Sequence, residues 1–231
     1  MEMEEKEFDF GLPNKILPVF FVIDSSAGMS GAKTDTVNAA MRKILRELPE
    51  IKELSFVDLR VAVLAYANDC QWVRPMSAMS EAFEWTDLKA GGEARFGEAC
   101  KELARKMTTK ENGFLQRPSS GYPPIVILLA GDEYASGYEA GLDVLLKNNW
   151  FKHSLKFALP IGSGYCLRMM EAFTGMKETV LNFKSNPDCL CKTVKSIVEN
   201  YCRIYNTTYS EYKPGILRLL EALKQDMELI I

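Results

Sequence analysis

The chain has 231 residues, of which 47% are hydrophobic and 26% are charged, and its formal net charge at pH 7 is −3. This length and apolar content suit one large α/β domain, or one domain with an appendage. Because the sequence carries no block of basic residues, we expect neither nucleic acid nor a membrane to be a partner.

The start of the chain and its cysteines predict a cytoplasmic location. Residues 1–7 are acidic and have neither the basic region nor the apolar core of a signal peptide. The longest apolar runs are too short to span a bilayer. The six cysteines are scattered along the sequence, and in a reducing compartment we expect them to be free thiols.

The first predicted strand and helix flank a polar loop. Residues 19–23 form an unbroken apolar run, which is typical of a strand buried on both faces of a parallel sheet. Asp24 ends this run and small residues follow, after which apolar residues recur on one helical face from Val37 to Leu48. In open α/β sheets, ligands bind where such loops leave the carboxyl ends of the strands, so this loop is the first candidate site.

The next segment predicts a hairpin followed by a helix. Residues 57–67 become mostly apolar and predict a second strand, and residues 71–74 pair back on it as an antiparallel edge strand. The Gly91-Gly92 pair marks a tight turn, and residues 96–107 place apolar side chains on one helical face.

The second half of the chain alternates strands with helices. Strands are predicted at residues 125–129, 155–161 and 179–183, and helices at residues 142–146, 167–173 and 190–201. This alternation predicts a three-layer α/β/α, doubly wound fold, with a mostly parallel sheet and one antiparallel edge strand.

Three segments are expected along the chain. Residues 1–15 are charged and then contain Gly and Pro, which predicts a loosely docked arm. Residues 16–203 hold the α/β domain, and residues 204–231 hold a polar linker and an amphipathic helix over 216–227. We expect this helix to bury its apolar face on its own domain rather than on a partner, because exposed apolar faces of this size are uncommon.

The loop after the first strand resembles a known motif. Asp24-x-Ser26-x-Gly28 is similar to the Asp-x-Ser-x-Ser start of the metal-ion-dependent adhesion site of von Willebrand factor type A (VWA) domains. The Leu-Pro-Val lead-in at residues 17–19 and the Met-Ser-Gly at residues 29–31 resemble small cytoplasmic bacterial members of this family, including those associated with tellurium resistance. The resemblance covers most of the chain and implies the Rossmann-like VWA fold.

The resemblance implies a divalent cation held by three loops, although the motif is matched only in part. In the family, the loops supply Asp-x-Ser-x-Ser, a threonine after two glycines, and an aspartate after the fourth strand. Here Gly28 replaces the second serine, a glutamate replaces the threonine, and the aspartate is displaced by one position. Oxygen ligands suit Mg²⁺, and extra carboxylates favour Mn²⁺ or Ca²⁺. The candidate ligands of Mg²⁺ or Mn²⁺ are Asp24, Ser26, Glu93 and Asp132.

A second interpretation keeps these residues without a metal. Asp24 and Ser26 would cap the loop by hydrogen-bonding backbone amides, and Lys89 or Arg95 would neutralise the acidic groups. A cluster of carboxylates needs some cation, either a metal ion or a basic side chain, to offset mutual repulsion. The sequence leaves both interpretations open.

The resemblance also implies a protein-interaction module. Its docking surface would be formed by the loops at the carboxyl ends of the strands, because loops carried on a rigid sheet commonly hold the function. The residues expected to contact a protein partner are Ser25, Gly28, Ser30, Gly92 and Glu133. The family usually binds proteins or assembles complexes, so we expect the protein not to be an enzyme.

The alternative is a hydrolase or nucleotide-using enzyme with Asp24 as its nucleophile or metal ligand. The sequence lacks the glycine-rich phosphate-binding motifs and the Gly-x-Ser-x-Gly nucleophile elbow. Its single histidine, His153, is far from Asp24 in sequence and falls in a predicted turn, which gives a Ser-His-Asp arrangement little support.

Overall fold

The structure is a computed structural model that describes most of the chain. The described residues are 15–51, 54, 57–79, 83–116, 122–131, 137–182, 186–207 and 218–223, with the backbone alone for 205–207. The predicted arm lies outside the described residues, apart from Lys15, which already belongs to the first strand. Asp132 and Glu133 of the predicted site also lie outside them.

Within the described ranges, five strands form one sheet. They are β1 (Lys15–Asp24), β2 (Val57–Tyr66), β3 (Cys70–Ala78), β4 (Ile125–Ala130) and β5 (Leu155–Pro160). The strand order is β3-β2-β1-β4-β5, and neighbouring strands are parallel except β2 and β3, which are antiparallel. This order confirms the predicted mostly parallel sheet with an antiparallel edge strand.

Helices cover both faces of the sheet. The α-helices are α1 (Ala32–Glu47), α2 (Phe96–Lys106), α3 (Glu139–Leu146), α4 (Asn149–His153), α5 (Leu167–Thr174) and α6 (Pro187–Thr207). Short 3₁₀ helices lie at Ala27–Met29, Leu48–Glu50 and Lys177–Thr179. Among the residues that the structure describes, no helix combines the length and apolar character needed to cross a membrane.

Two apolar clusters fill the space between the sheet and the helices. Alternate residues of β1 face opposite sides, so Phe21 and Ile23 belong to one cluster and Phe20 and Val22 to the other. α1, α6 and the helical residues 218–223 contribute to the first cluster, and α2, α3 and α5 to the second. The predicted three-layer α/β/α fold is confirmed, and burial on both faces explains the unbroken apolar sequence of β1.

The carboxyl ends of the parallel strands meet at one edge of the sheet. Asp24 at the end of β1 is in register with Tyr66 at the end of β2, and Ile23 is in register with Leu129 of β4. β5 continues this row, because Leu129 pairs with Leu159. The loops after β1, β4 and β5 therefore leave the sheet side by side, at the edge where the sequence predicts the site.

The predicted strand at residues 179–183 is reduced to one bridge. Val180 pairs with Ala158 of β5 as an isolated parallel bridge, and a 3₁₀ helix ends at Thr179. The hydroxyl of Thr179 donates to the carbonyl of Met176 at 2.7 Å. This local bond stabilises a turn rather than an extended strand in the residues before the bridge. Apart from the bridge, the prediction of a strand is wrong within the described part of the segment.

The last described residues pack on the domain. Leu219, Leu220 and Leu223 are at most 5% exposed and belong to the same apolar cluster as α1 and α6. Their burial accounts for the amphipathic pattern of the tail. α6 runs to Thr207, and the domain boundary predicted at residue 203 stays a prediction.

Candidate functional site

Four loops meet at the carboxyl edge of the sheet. The first loop (residues 25–31) follows β1, and the second loop (residues 86–95) precedes α2. The third loop begins at Gly131 after β4, and the fourth loop (residues 161–166) follows β5. Residues 132–136 of the third loop lie outside the described part of the chain.

Asp24 holds the turn that leads out of β1. It is 2% exposed, and its Oδ1 accepts a hydrogen bond from the backbone N–H of Ser26 at 2.8 Å. Ser26 is itself fully buried. A carboxylate that accepts a bond from an amide two residues later stabilises a tight turn. This contact matches the capping role that the second interpretation gives to Asp24.

The first loop is bound to the end of β2 and to the second loop. Ser25 donates its backbone N–H and its hydroxyl to the carbonyl of Tyr66, at 2.9 and 3.0 Å. Gly91 donates its N–H to the carbonyl of Ser25, and Ala27 donates its N–H to the carbonyl of Gly92, each at 2.9 Å. The predicted Gly-Gly turn therefore pairs with the first loop through its backbone.

Glu93 directs its carboxylate to solvent. Its backbone N–H donates to Oδ1 of Asn68 at 2.8 Å, while its side chain is 72% exposed and accepts from Nε of Arg95 at 3.3 Å. Asp24, by contrast, is buried. Within the described ranges, no group of three or more His, Cys, Asp or Glu side chains could hold a metal ion.

We expect the Glu93→Gln variant to change the free energy of unfolding by less than about 0.5 kcal/mol, because exposed ion pairs contribute little. The backbone bond to Asn68 does not depend on the side chain at position 93. Urea denaturation of variant and wild type, each with and without Mg²⁺, measures this difference. A loss of more than about 1 kcal/mol that is seen only in Mg²⁺ would instead make Glu93 a metal ligand.

A buried asparagine on α1 holds the second loop in place. Asn38 is 4% exposed, and its Oδ1 accepts from the backbone N–H of Leu88 at 2.9 Å and from Nε1 of Trp85 at 3.3 Å. Its Nδ2 donates to the carbonyl of Leu88 at 3.0 Å. Arg42, also on α1, forms an exposed ion pair with Asp87. These contacts fix the segment that leads into the Gly-Gly turn.

A lysine that the sequence pattern did not reveal bridges two loops. Lys33 lies in the first turn of α1, and its Nζ donates to the carbonyl of Gly131 at 2.5 Å and to that of Gly28 at 3.2 Å. The two basic residues predicted to neutralise the site do not share this position, since Arg95 is in an exposed ion pair and Lys89 is exposed. A positive charge in the first turn of a helix is unfavourable because it opposes the helix dipole. This unusual position is the sequence feature that could have indicated a role for Lys33.

A groove opens beside the first loop. Its volume is about 500 Å³, and it lies between the first loop, the β2–β3 turn and the second loop. Apolar side chains, Val73 and Leu88 among them, line it together with polar and charged ones, which include Ser25, Asn68, Asp69, Asp87 and Lys89. The groove gives the carboxyl edge a concave surface that carries both signs of charge.

The family of the protein follows from its sequence together with this fold. A sequence profile of the von Willebrand factor type A domain matches residues 19–151, which is more than half of the chain. The chain belongs to the VWA domain family. This match confirms the resemblance at the level of the family, while the likeness to members associated with tellurium resistance stays a prediction.

Solved structures share the VWA fold at low sequence identity. One is a von Willebrand factor type A protein from Catenulispora acidiphila, with 14% identity, a TM-score of 0.54, and coverage of 81% of this chain and 42% of that one. Another is the ArnB paralog VWA2 from Sulfolobus acidocaldarius, with 15% identity, a TM-score of 0.54, and coverage of 80% and 45%. The third is proximal thread matrix protein 1 from the mussel byssus, in a structure with a zinc-occupied adhesion motif; its identity is 16%, its TM-score 0.58, and its coverage 82% and 46%.

These likenesses show the fold alone. The chain spans less than half of the length of each of the three proteins, so their activities and partners are not transferred by the comparison. A search of curated proteins found no match.

The predicted ligand set for Mg²⁺ or Mn²⁺ lies only partly among the described residues of this VWA domain. Gly28 has no side-chain oxygen, and the carboxylate of Glu93 is exposed. Asp24 and Ser26 are both buried, and Oδ1 of Asp24 accepts a bond from the backbone amide of Ser26. Mg²⁺ demands several well-placed oxygen atoms in octahedral geometry. With Asp132 outside the described residues, the ligand set stays a prediction.

Proposed function

We propose that this protein binds a protein partner through the carboxyl edge of its VWA domain. VWA domains are generally protein-interaction modules. The observation that carries the proposal is the pair of backbone hydrogen bonds that join the first and second loops, from Gly91 to Ser25 and from Ala27 to Gly92. They hold exposed loops in one shape before a partner arrives, which lowers the entropic cost of binding.

The predicted contact residues are accessible to a partner to different degrees. Gly28, Ser30 and Gly92 are exposed, and Ser25 is partly buried and lines the groove. Glu133 lies outside the described residues and stays a prediction. A partner segment with polar and charged side chains would fit this groove, because both signs of charge line it.

In this proposal, partner binding does not need Mg²⁺ or Mn²⁺. The first and second loops are held together by hydrogen bonds within the chain. The cytoplasmic location and the association with tellurium resistance remain predictions from the sequence.

The position of the histidine does not favour the enzymatic alternative. VWA domains are typically non-enzymatic interaction modules. His153 ends α4 just before β5 begins, and Leu155 at the start of β5 pairs with Ile125, which pairs with Val19 of β1. The histidine therefore lies at the edge where the strands begin, opposite to Asp24.

Two cysteine thiols are also unsuited to nucleophilic catalysis. Burial raises the pKa of the Cys70 thiol to about 11, with nearby carboxylates adding to the effect. Burial likewise raises the pKa of the Cys191 thiol to about 11. Since the thiolate is the nucleophilic form, neither side chain would be reactive at neutral pH.

Site-specific photo-crosslinking tests the proposed surface. A photoreactive amino acid is placed at Ser30 in the first loop, at Lys89 beside the groove, or at Lys152 on the opposite edge as a matched control, all of which are exposed. In cells that make the protein, we expect Ser30 and Lys89 to yield one shared adduct that survives chelator, and Lys152 to yield none above background. Equal labelling from Lys152, or adducts of different mass from Ser30 and Lys89, would contradict the proposal.

A further inference from the structure

We infer that the ammonium group of Lys33 is the built-in cation of this site, tying the first and third loops together so that no divalent ion is needed. The inference concerns the cation and not the partner, so it does not rest on the proposed function.

The head group of Lys33 contacts two loops that leave neighbouring strands. Its Nζ donates to the carbonyl of Gly131, which follows β4, at 2.5 Å, and to the carbonyl of Gly28, in the loop after β1, at 3.2 Å. Hydrogen bonds from an ionised donor are roughly twice as strong as neutral ones. One side chain therefore links backbone groups that are far apart in sequence.

The stem of Lys33 passes close to glycines of the third and fourth loops. A β-carbon on Gly131 would lie 2.4 Å from the carbonyl oxygen of Ile161 and 3.2 Å from Cδ of Lys33, and one on Gly162 would lie 2.9 Å from Cε of Lys33. Gly162 also has a φ of +77°, a backbone conformation that residues other than glycine rarely adopt. The aliphatic stem thus packs across both loops while the charged head reaches the carbonyls, as amphipathic side chains commonly do.

The place of Lys33 in α1 would be unfavourable without these contacts. α1 begins at Ala32, so Lys33 lies in the first turn, where the helix dipole repels a positive charge. The carbonyl oxygens of Gly28 and Gly131 offset this repulsion.

A fixed ammonium group changes how this edge responds to metal ions. A divalent cation that used the same carbonyl oxygens would have to displace Lys33 or lie beside a like charge, and both cost free energy. We therefore expect the wild-type protein to be insensitive to Mg²⁺, Mn²⁺ and chelator.

The Lys33→Met variant tests the inference, because methionine keeps an apolar stem and removes the charge. Lys89→Met, which alters an exposed lysine of the second loop, is the matched control. Thermal unfolding midpoints are measured in chelator, in Mg²⁺ and in Mn²⁺, with calorimetric titration of both ions. We expect the midpoint of Lys33→Met to fall by about 3–6 °C and that of Lys89→Met to stay within about 1 °C of wild type. Wild type should bind neither ion.

Two results would overturn the inference. A wild-type midpoint that rises by about 5–10 °C, at an ion concentration about 100-fold above Kd, would show that an ion binds with Lys33 in place. Equal midpoints for wild type and Lys33→Met would show that the ammonium group does not hold the loops. Metal binding gained only by Lys33→Met would support the inference. If that variant does not fold, the wild-type titration still decides, with Lys33→Arg as the folded variant that keeps the charge.

Discussion

Replacing Gly92 with alanine is expected to lower the free energy of unfolding by about 2–3 kcal/mol, whereas Gly91→Ala should leave it within about 0.5 kcal/mol of wild type. Gly92 has a φ of +78°, and a β-carbon there would lie 2.7 Å from Cγ and Nδ2 of Asn68. Moving Asn68 aside also removes the bond from its Oδ1 to the backbone N–H of Glu93. Left-handed backbone at alanine and the lost hydrogen bond each contribute about 1 kcal/mol or more.

Gly91 provides the matched control for this substitution. It is the adjacent residue in the same turn, and a β-carbon there would meet no atom within 4 Å. Urea denaturation of both variants, with hydrogen exchange of the Ala27 amide that donates to residue 92, gives the comparison. Similar losses for the two variants would show that the turn is not held against Asn68.

The sheet could be predicted because its sequence signals are local. Residues 19–23 and 125–129 are unbroken apolar runs, and the strands they form are buried on both faces. A strand covered on both faces has no position for a solvated side chain, so its sequence alone indicates its place in a parallel sheet. β3 is longer than predicted, since it continues through Pro75 to Ala78. An edge strand tolerates proline because one side of its backbone needs no ladder partner.

The predicted strand after α5 shows where local signals are too weak. Residues 179–183 carry β-branched and apolar side chains, which predict a strand. Threonine hydroxyl groups, however, bond to the backbone just before this segment and compete with strand pairing. Thr174 and Thr179 both donate to the carbonyl of Met176, at 2.8 and 2.7 Å. Such side-chain bonds stabilise turns over strands, and only Val180 reaches β5.

The residues that organise the site could not be found from the sequence, because their partners are distant along the chain. Lys33 lies 98 residues from Gly131, and Asn38 lies 50 residues from Leu88. Both contacts depend on how α1 packs beside the sheet edge, and no local pattern encodes that position. For Glu93 the local sequence predicts a role that its surroundings do not reflect. Its place after two glycines predicts a metal ligand. In the structure these glycines pair with the first loop through their backbone, and the carboxylate of Glu93 is exposed.

The Asn38→Leu variant is expected to lower the free energy of unfolding by about 3 kcal/mol. Leucine has a similar size but can neither donate nor accept a hydrogen bond. The substitution leaves the N–H and carbonyl of Leu88 and the Nε1 of Trp85 without their partner, and each partly buried polar group that loses its bond costs about 1 kcal/mol or more. Urea denaturation measures the loss, and hydrogen exchange of the Leu88 amide should become faster in the same variant.

Two further substitutions distinguish loss of the Asn38 hydrogen bonds from a general weakening of α1. Asn38→Asp keeps an acceptor for the N–H of Leu88 and loses the donor to its carbonyl, so its loss of stability should be intermediate. Arg42→Ala removes the ion pair between Arg42 and Asp87, whose two side chains are 50% and 56% exposed respectively. This substitution should lower the free energy of unfolding by at most about 1 kcal/mol. A loss for Arg42→Ala as large as that for Asn38→Leu would mean that surface charge, and not the asparagine, holds the second loop.

Because that loop carries Gly91 and Gly92, crosslinking from Ser30 should weaken in Asn38→Leu and persist in Arg42→Ala.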